Sequence, residues 1–392
     1  MIQCINANCY GCRGCEEICP TKAITMEEDR ETFLYPKIDS EKCVKCGLCD
    51  KVCPIKYEHF IDVDNAIAKV GMAKDREVIL ESSSGGAFTA LYRYAISKEY
   101  TVYGVKYDEK MQVIIDAAKT EKECQKFRKS KYIQANTNGC FERIRKQLSN
   151  DEGVLFSGTP CQVAALNNYL SVRAQNTKKL LTISILCHGV PSQKLFDMYK
   201  EEEQKREKSE MLSFTFRYKR KDGQPINSRS AIVKFANGKE YIRDKEKDAF
   251  LRGYYQRLFY RPSCMTCEFA RNERVADITI FDAWNIEKRY SHYNPLEGTS
   301  IVLAASDKGK AILEKISNEM ELEELPIKWV LESQCLFRMP TSEHKNRDRF
   351  FEFFVNKGFG KAVFLCTKKS IRQRISKFCP DFIKRVVKKR GI

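Results

Sequence analysis

The stretch Cys9-Tyr10-Gly11-Cys12-Arg13-Gly14-Cys15-Glu16-Glu17-Ile18-Cys19-Pro20 spaces four cysteines as C-x2-C-x2-C-x3-C and ends them on a proline. Cys43, Cys46, Cys49 and Cys53, followed by Pro54, repeat the pattern at a constant offset of 34 residues, so the first sixty residues are an internal duplication. A run of this spacing supplies three corners of a 4Fe-4S cube from one tight loop, while its fourth cysteine serves the cube of the other half. The expected ligand sets are therefore Cys9, Cys12, Cys15 and Cys53 for one cluster, and Cys43, Cys46, Cys49 and Cys19 for the second. Gly11, Gly14 and Gly47 relax the backbone so that N–H groups can turn toward sulfide. Structural zinc sites also use four cysteines, but seldom with the third at x2 and an x3-C-P ending. Between the halves, AITMEED and FLYPKID read as two short strands.

This segment resembles a bacterial-type two-cluster ferredoxin over essentially its whole length. Its charge marks it as a separate module: residues 1–60 hold 8 Lys/Arg and 10 Asp/Glu, whereas the 392-residue chain carries a net charge of +17. The opening MIQCINANCYGC lacks a basic stretch followed by an apolar core, so it is not a secretory signal and the chain reads as cytoplasmic. In that compartment 18 cysteines point to metal ligation rather than disulfides. Apolar runs such as LLTISIL (180–186) are far shorter than the about 20 residues of a spanning helix. A hydrophobic fraction of 43% supports a sizeable core, and the length suggests two to three domains.

Beyond His59 the chain runs through IDVDNAIAKV to Ser82-Ser83-Ser84-Gly85-Gly86, which opens a helix with Phe88, Leu91, Tyr92 and Ala95 on one face. TVYGVKY and MQVIIDAA read as a hairpin, and residues 121–128 and 139–148 as helices flanking Ser130-Lys131-Tyr132. GVLFSG, a helix opened by Thr159-Pro160-Cys161, and LLTISIL form a βαβ unit with parallel strands. A polar helix from about Gln193 to Lys208, strands at SFTFRY and SAIVKF, a helix to about Phe259, and strands in ADITIFDAW and IVLAA follow. The fold class is α+β: a ferredoxin-like two-cluster domain (1–60) followed by a mixed α/β domain (66–345) and a basic helical tail (346–392).

Two features of the second domain carry chemistry. SSSGG before a helix offers N–H groups and a positive dipole end to a phosphate or a flavin edge, although taken alone it reads first as a flexible turn with an N-cap. Cys161 and Cys187 each follow a strand of the βαβ unit, so both thiols emerge at one end of the sheet, where α/β folds place their ligands. With the C-x2-C pair Cys264 and Cys267 they suffice for a third 4Fe-4S cluster, a zinc site, or a redox dithiol with two bystanders. Cys124, Cys140, Cys335, Cys366 and Cys379 are scattered and read as buried single thiols. No G-x-G-x-x-G or P-loop motif occurs.

SSSGGAFTAL (82–91), SKY (130–132), SGTPCQVAAL (157–166), CHGVPS (187–192), RPSCMTCEF (261–269) and ADITIFDAW (276–284) together resemble one family, the beta subunits of coenzyme F420-reducing hydrogenase and dehydrogenase. The resemblance extends over roughly residues 66–345. It implies an FAD-binding flavoprotein with its own 4Fe-4S cluster, held at the positions of Cys161, Cys187, Cys264 and Cys267. It also implies Ser84, Gly85, Gly86 and Lys131 as flavin neighbours. Where the family usually reads G-D-F-W-G, this chain has Phe281-Asp282-Ala283-Trp284-Asn285.

The function so expected is an FAD- and 4Fe-4S-dependent oxidoreductase with three clusters. It would pass electrons between its ferredoxin relay and coenzyme F420 or another small organic substrate at FAD. The other reading is an electron-carrier subunit that has no substrate of its own and docks on a redox partner protein. Nucleic acid is not an expected partner, because no aromatic-studded basic motif is present. No general acid or base is assigned. Residues 368–392 hold ten Lys/Arg and one Asp, with Ile371, Ile375 and Phe378 on one helical face. That segment is a candidate for an anionic membrane surface, at the inner face of the membrane, or for an acidic partner.

Overall fold

The computed structural model describes residues 7–220, 229–294 and 297–368. Its centre is an eight-stranded mixed sheet. The strands among the described residues are β1 (Ile24–Glu28), β2 (Leu34–Ile38), β3 (Ile67–Ala73), β4 (Thr101–Tyr107), β5 (Val113–Ala118), β6 (Val154–Gly158), β7 (Leu180–Ile185), β8 (Met211–Phe216), β9 (Ala231–Phe235), β10 (Glu240–Arg243), β11 (Ile278–Asp282), β12 (Ser300–Ala304) and β13 (Met320–Leu325). The large sheet runs β13-β3-β12-β11-β7-β6-β4-β5, while β10-β9-β8 and β1-β2 form two small antiparallel sheets. Pairing is parallel from β11 through β7 and β6 to β4, and antiparallel on both flanks.

The parallel centre follows from its residues. Val154, Leu155 and Phe156 of β6 and Leu180, Leu181 and Ile183 of β7 are buried, and a strand covered on both faces reads as a near-continuous apolar run. β6 and β7 pair in register from Val154↔Leu180 to Gly158↔Ser184, so Cys161 and Cys187 leave the sheet at the same end. A buried polar lock fixes β11 beside β7. The Asp277 carboxylate accepts from the Thr182 N–H and hydroxyl at 2.8 Å each and from Ser306 Oγ at 2.6 Å. A fully partnered carboxylate of this kind sets strand position where apolar contacts alone would tolerate sliding.

The helix Pro160–Val172 joins β6 to β7 and is buried on nearly every side, with Val163, Ala164, Ala165 and Leu166 inaccessible. One side faces the sheet; the other takes the ferredoxin-like segment. There the short helices Gly14–Ile18 and Leu48–Val52 contribute Ile18 and Val52 to the same core as Phe141, Phe156 and Tyr169. The segment expected as a separate module is thus a wall of the main core. Its inner face is largely apolar, and its Glu17 and Glu31 are held there by partners from the second domain and the last helices.

Polar contacts tighten that seam. Glu17 accepts from Thr137 Oγ1 at 2.6 Å and from the Phe141 N–H at 3.0 Å, and Asn167 Nδ2 donates to the Tyr57 hydroxyl at 3.0 Å.

The expected tail begins later than residue 346. Helices Arg347–Lys357 and Phe359–Thr367 bury Phe350, Phe354, Phe359, Ala362 and Val363 against the main core. Aromatic spacing, not local charge, decides their burial. Residues 369–392, including the amphipathic face at Ile371, Ile375 and Phe378, lie outside the described residues. Among the described residues no helix is long and apolar enough to cross a membrane. Cys124, Cys140 and Cys366 are buried single thiols as expected, whereas Cys335 is exposed, because its short 3-10 turn buries Leu336 and Phe337 instead.

Arg347 ties the last helices to the ferredoxin segment. Its NH1 donates to Glu31 Oε1 at 2.9 Å and its NH2 to the Tyr260 carbonyl at 3.1 Å, with both ionic partners buried. Removing one partner of a buried pair strands the other charge. Arg347→Ala is therefore expected to lower stability by about 3 kcal/mol, read as the shift of the denaturant midpoint.

Candidate functional site

The ferredoxin-like segment gathers its eight cysteines in crossed sets. Cys9, Cys12 and Cys15 lie close enough to Cys53 for each thiol to feel it: burial pushes all three up, and the neighbouring thiols push further. Cys19, Cys43, Cys46 and Cys49 line one small pocket. Cys53 is thus a neighbour of Cys9, Cys12 and Cys15, and Cys19 of Cys43, Cys46 and Cys49. Local turns aim donors at sulfur: the Gly11 N–H meets Cys9 Sγ at 3.3 Å and the Ala23 N–H meets Cys19 Sγ at 3.3 Å.

Cys161, Cys187, Cys264 and Cys267 line one cavity of about 50 Å³. Cys161 opens the helix after β6, and its Sγ lies 3.2 Å from Thr159 Oγ1. Cys187 opens the loop after β7. Cys264 arrives on a short turn whose base is pinned to that loop, the Arg261 N–H donating to the Val190 carbonyl at 2.9 Å. Burial pushes the thiols of Cys264 and Cys267 up to about 11 and about 12, and Cys161 repels both. Four desolvated, mutually repelling sulfurs suit a cationic iron–sulfide core, which relieves both costs at once. Ser263 Oγ, buried in the same wall, has no hydrogen-bond partner among the described residues and can donate to such a core. Among the described residues no three His, Cys, Asp or Glu side chains close on a single-ion geometry. A cubane asks for a wider set, because each thiolate binds a different iron.

A larger cavity of about 280 Å³ adjoins this one, and the two share Ala135, Thr159, Gln162 and the 186–190 loop as their common wall. The Ser82–Gly86 loop bounds it at the start of the helix Ala87–Ser97. Ser83 Oγ accepts from the Ser130 N–H at 2.7 Å, which joins the SSSGG and SKY segments across 47 residues of sequence. Lys131 lines the cavity, and its Nζ donates to the carbonyls of Lys126 and Arg128 at 2.9 and 2.7 Å. Burial, reinforced by Lys129, brings that amine down to about 7. An apolar cavity with a few convergent polar groups fits a flat heteroaromatic ligand such as a flavin ring.

Ser84, Gly86 and Lys131 line this cavity; Gly85 does not. A Cβ on Gly85 would stand 2.6 Å from the Gly71 carbonyl and 2.8 Å from the Ser300 N–H, so this glycine is required by close packing on β3 and β12. His188 lines both cavities.

Sequence reasoning missed the cations that hold the loop. Arg217, just past β8, clasps Asp282 in a bidentate pair at 2.7 and 3.1 Å and donates to the Ser83 carbonyl at 3.1 Å. Lys219 Nζ donates to the Ser84 carbonyl at 2.6 Å, and burial brings its amine down to about 7. No motif marks these positions, which meet the loop only through the small sheet. The departure at Asn285 leaves the backbone intact: its φ is 66°, in the left-handed region that glycine favours and asparagine tolerates.

Gly85→Ala is expected to cost about 1–3 kcal/mol in a denaturant titration, because the contacts it would strain are backbone atoms with little room to relax. The Lys131 amine is expected to reach half-maximal reactivity near pH 7 in competitive acylation read by peptide mass spectrometry, far below an ordinary lysine.

Residues 8–57 match the family model for a 4Fe-4S dicluster domain, and residues 151–328 match that for the C terminus of the coenzyme F420 hydrogenase/dehydrogenase beta subunit. One of the F(420)H(2) dehydrogenase subunits of Methanosarcina mazei is 23% identical over 189 residues, 46% of this chain and 53% of that one. A component of an ion-translocating oxidoreductase complex from Methanosarcina acetivorans is 46% identical over 48 residues, 12% of this chain and 16% of that one. A polyferredoxin-like protein of Methanocaldococcus jannaschii is 47% identical over 55 residues, 12% of this chain and 33% of that one. The chain thus spans at most about half the length of these curated relatives. Among solved structures, a chain of the F420-reducing [NiFe] hydrogenase complex from Methanosarcina barkeri superposes with a TM-score of 0.46 at 16% identity, over 76% of this chain and 94% of that one. The chain thus carries a 4Fe-4S dicluster domain at residues 8–57 and, at residues 151–328, a segment similar to the C terminus of the coenzyme F420 hydrogenase/dehydrogenase beta subunit.

Proposed function

We propose that this chain is an iron–sulfur flavoprotein oxidoreductase that passes electrons between its ferredoxin clusters and a small organic substrate at a bound FAD. The observation that carries the reading is the common wall of the two cavities, Cys187–Val190 above all. A bound FAD would exchange electrons in pairs with an organic substrate and singly with a 4Fe-4S cluster, so the two side by side would join two-electron to one-electron chemistry.

The chain's own residues fit these tasks. Cys161, Cys187, Cys264 and Cys267 would hold the third cluster, and the crossed sets of the N-terminal segment the other two. Ser84, Gly86 and Lys131 would bound the flavin, with Tyr132 steadied by stacking on Tyr254 at 4.3 Å. The Arg217–Asp282 clasp keeps the loop closed on that side. Lys131, with its amine near 7, can offer a hydrogen bond or release a proton at neutral pH. Coenzyme F420 is the first substrate to test, because a relative carries the name F(420)H(2) dehydrogenase.

A second reading is an electron carrier without a substrate of its own, docked on a partner enzyme. It is favoured by relatives that are themselves named as subunits. Protein that transfers electrons to a partner protein but turns over no small molecule would establish that reading.

Anaerobically purified protein is expected to contain about twelve iron, four per cubane, and one FAD per chain. About eight iron would remove the third cluster, and absence of flavin would remove the oxidoreductase reading. Cys161→Ala is expected to lose about four iron while the ferredoxin signals persist.

A further inference from the structure

Arg261 and Arg274 are among the largest fully buried side chains of the protein, each 1% exposed. Both stand on the segment that carries Cys264 and Cys267, one on either side of the pair. Neither makes an ion pair with a carboxylate among the described residues. The carboxylate nearest Arg274 in sequence, Glu273, is held by Arg271 at 2.8 and 3.0 Å.

Arg261 instead donates Nε to the Cys9 carbonyl at 2.6 Å, NH2 to the Leu34 carbonyl at 2.8 Å and NH1 to Gln134 Oε1 at 3.1 Å. Its guanidinium lies 4.5 Å from the centroid of the Tyr35 ring. A Cβ on Gly11, inside the first cysteine run, would touch it at 2.7 Å. Arg274 donates to the Glu273 and Phe269 carbonyls at 2.9 Å each and lies 4.9 Å from the Phe337 ring centroid. Its NH1 has no hydrogen-bond partner among the described residues.

Burying a guanidinium without a counter-charge is costly, and carbonyls and ring faces repay only part of that cost. Two such cations flank the Cys264 and Cys267 pair on one segment. Arg261 stands three residues before Cys264 and holds the Cys9 carbonyl, and Arg274 holds the carbonyl of Phe269, which lines the same cavity as Cys161, Cys187, Cys264 and Cys267. A cubane supplies the missing charge, because four thiolates outweigh its iron–sulfide core and reduction adds one more electron. We propose that Arg261 and Arg274 are built-in counter-cations of the Cys161/Cys187/Cys264/Cys267 cluster, and that Arg261 is shared with the Cys9/Cys12/Cys15/Cys53 cluster. This rests on the iron–sulfur reading of those cysteines. Each cation stabilises the reduced, more negative state and so raises the reduction potential of the clusters it faces. Arg261, set between two clusters, moves both potentials in the same direction.

The test is a potentiometric titration of the full chain, purified anaerobically and followed by electron paramagnetic resonance, with iron counted in every variant. The signal lost in Cys161→Ala identifies the third cluster. Arg274→Gln is expected to lower the potential of that cluster alone. Arg261→Gln is expected to lower it together with one ferredoxin cluster, and Arg261→Lys, which keeps the charge without the fork, to stay near wild type. Unchanged potentials in iron-replete R261Q and R274Q would overturn the proposal, as would an equal fall in R261K and R261Q, the mark of a mechanical staple. Should R261Q fail to retain iron, R274Q decides alone. Wild-type protein with about eight iron would instead remove the third cluster itself.

Discussion

The parallel pairing of β6 with β7 is the constraint on which the site is built. It sets two strand ends side by side, and the residues that follow them, Cys161 and Cys187, face a shared space. The pairing is secured by apolar burial along both strands and, one strand further, by the Asp277 carboxylate bound to Thr182 and Ser306. A one-residue slip of β7 would exchange the side chains on its two faces and carry Cys187 away from Cys161.

The crossover helix between these strands has a second task. Its small residue Ala165 would stand 3.7 Å from a Cβ on Gly14, so the first ferredoxin helix approaches closely and the two halves of the chain share one core. Proximity of this kind matters for electron transfer. It also explains why the seam is stitched by buried polar residues, Glu17, Arg261 and the Glu31–Arg347 pair, which tolerate little mispositioning. The two adjacent cavities are then a consequence of packing: one wall, the loop after β7, belongs to both.

Much of this architecture is legible residue by residue. VLFSG and LLTISIL announce buried parallel strands because they are apolar throughout, and the crossed cysteine sets follow from their spacing. Other elements are not. β3 lies between β12 and β13, yet IAKVGMA mixes a lysine and a glycine into its apolar residues and gives no clear strand signal. β13, Met320-Glu-Leu-Glu-Glu-Leu325, is an edge strand whose glutamates face solvent, so its sequence looks like a polar linker. The helices of 347–367 read as part of a tail because basic residues there obscure the phenylalanines that they bury. Gly85 reads as a ligand neighbour because a glycine needed for packing has the same appearance in sequence as one needed for binding.

The sequence by itself determined the two N-terminal cysteine runs, since three thiols within seven residues can reach only one small volume whatever the rest of the chain does. It also determined the βαβ unit, whose apolar runs admit few other arrangements. Only the tertiary structure decided which other distant groups meet: Ser83 with Ser130, Arg217 with Asp282, and Arg261 with the Cys9 carbonyl. The physical reason is range. Spacing along a chain limits what covalent geometry can bring together over a few residues, whereas the burial of a charge or a thiol depends on surfaces contributed by segments far apart in sequence.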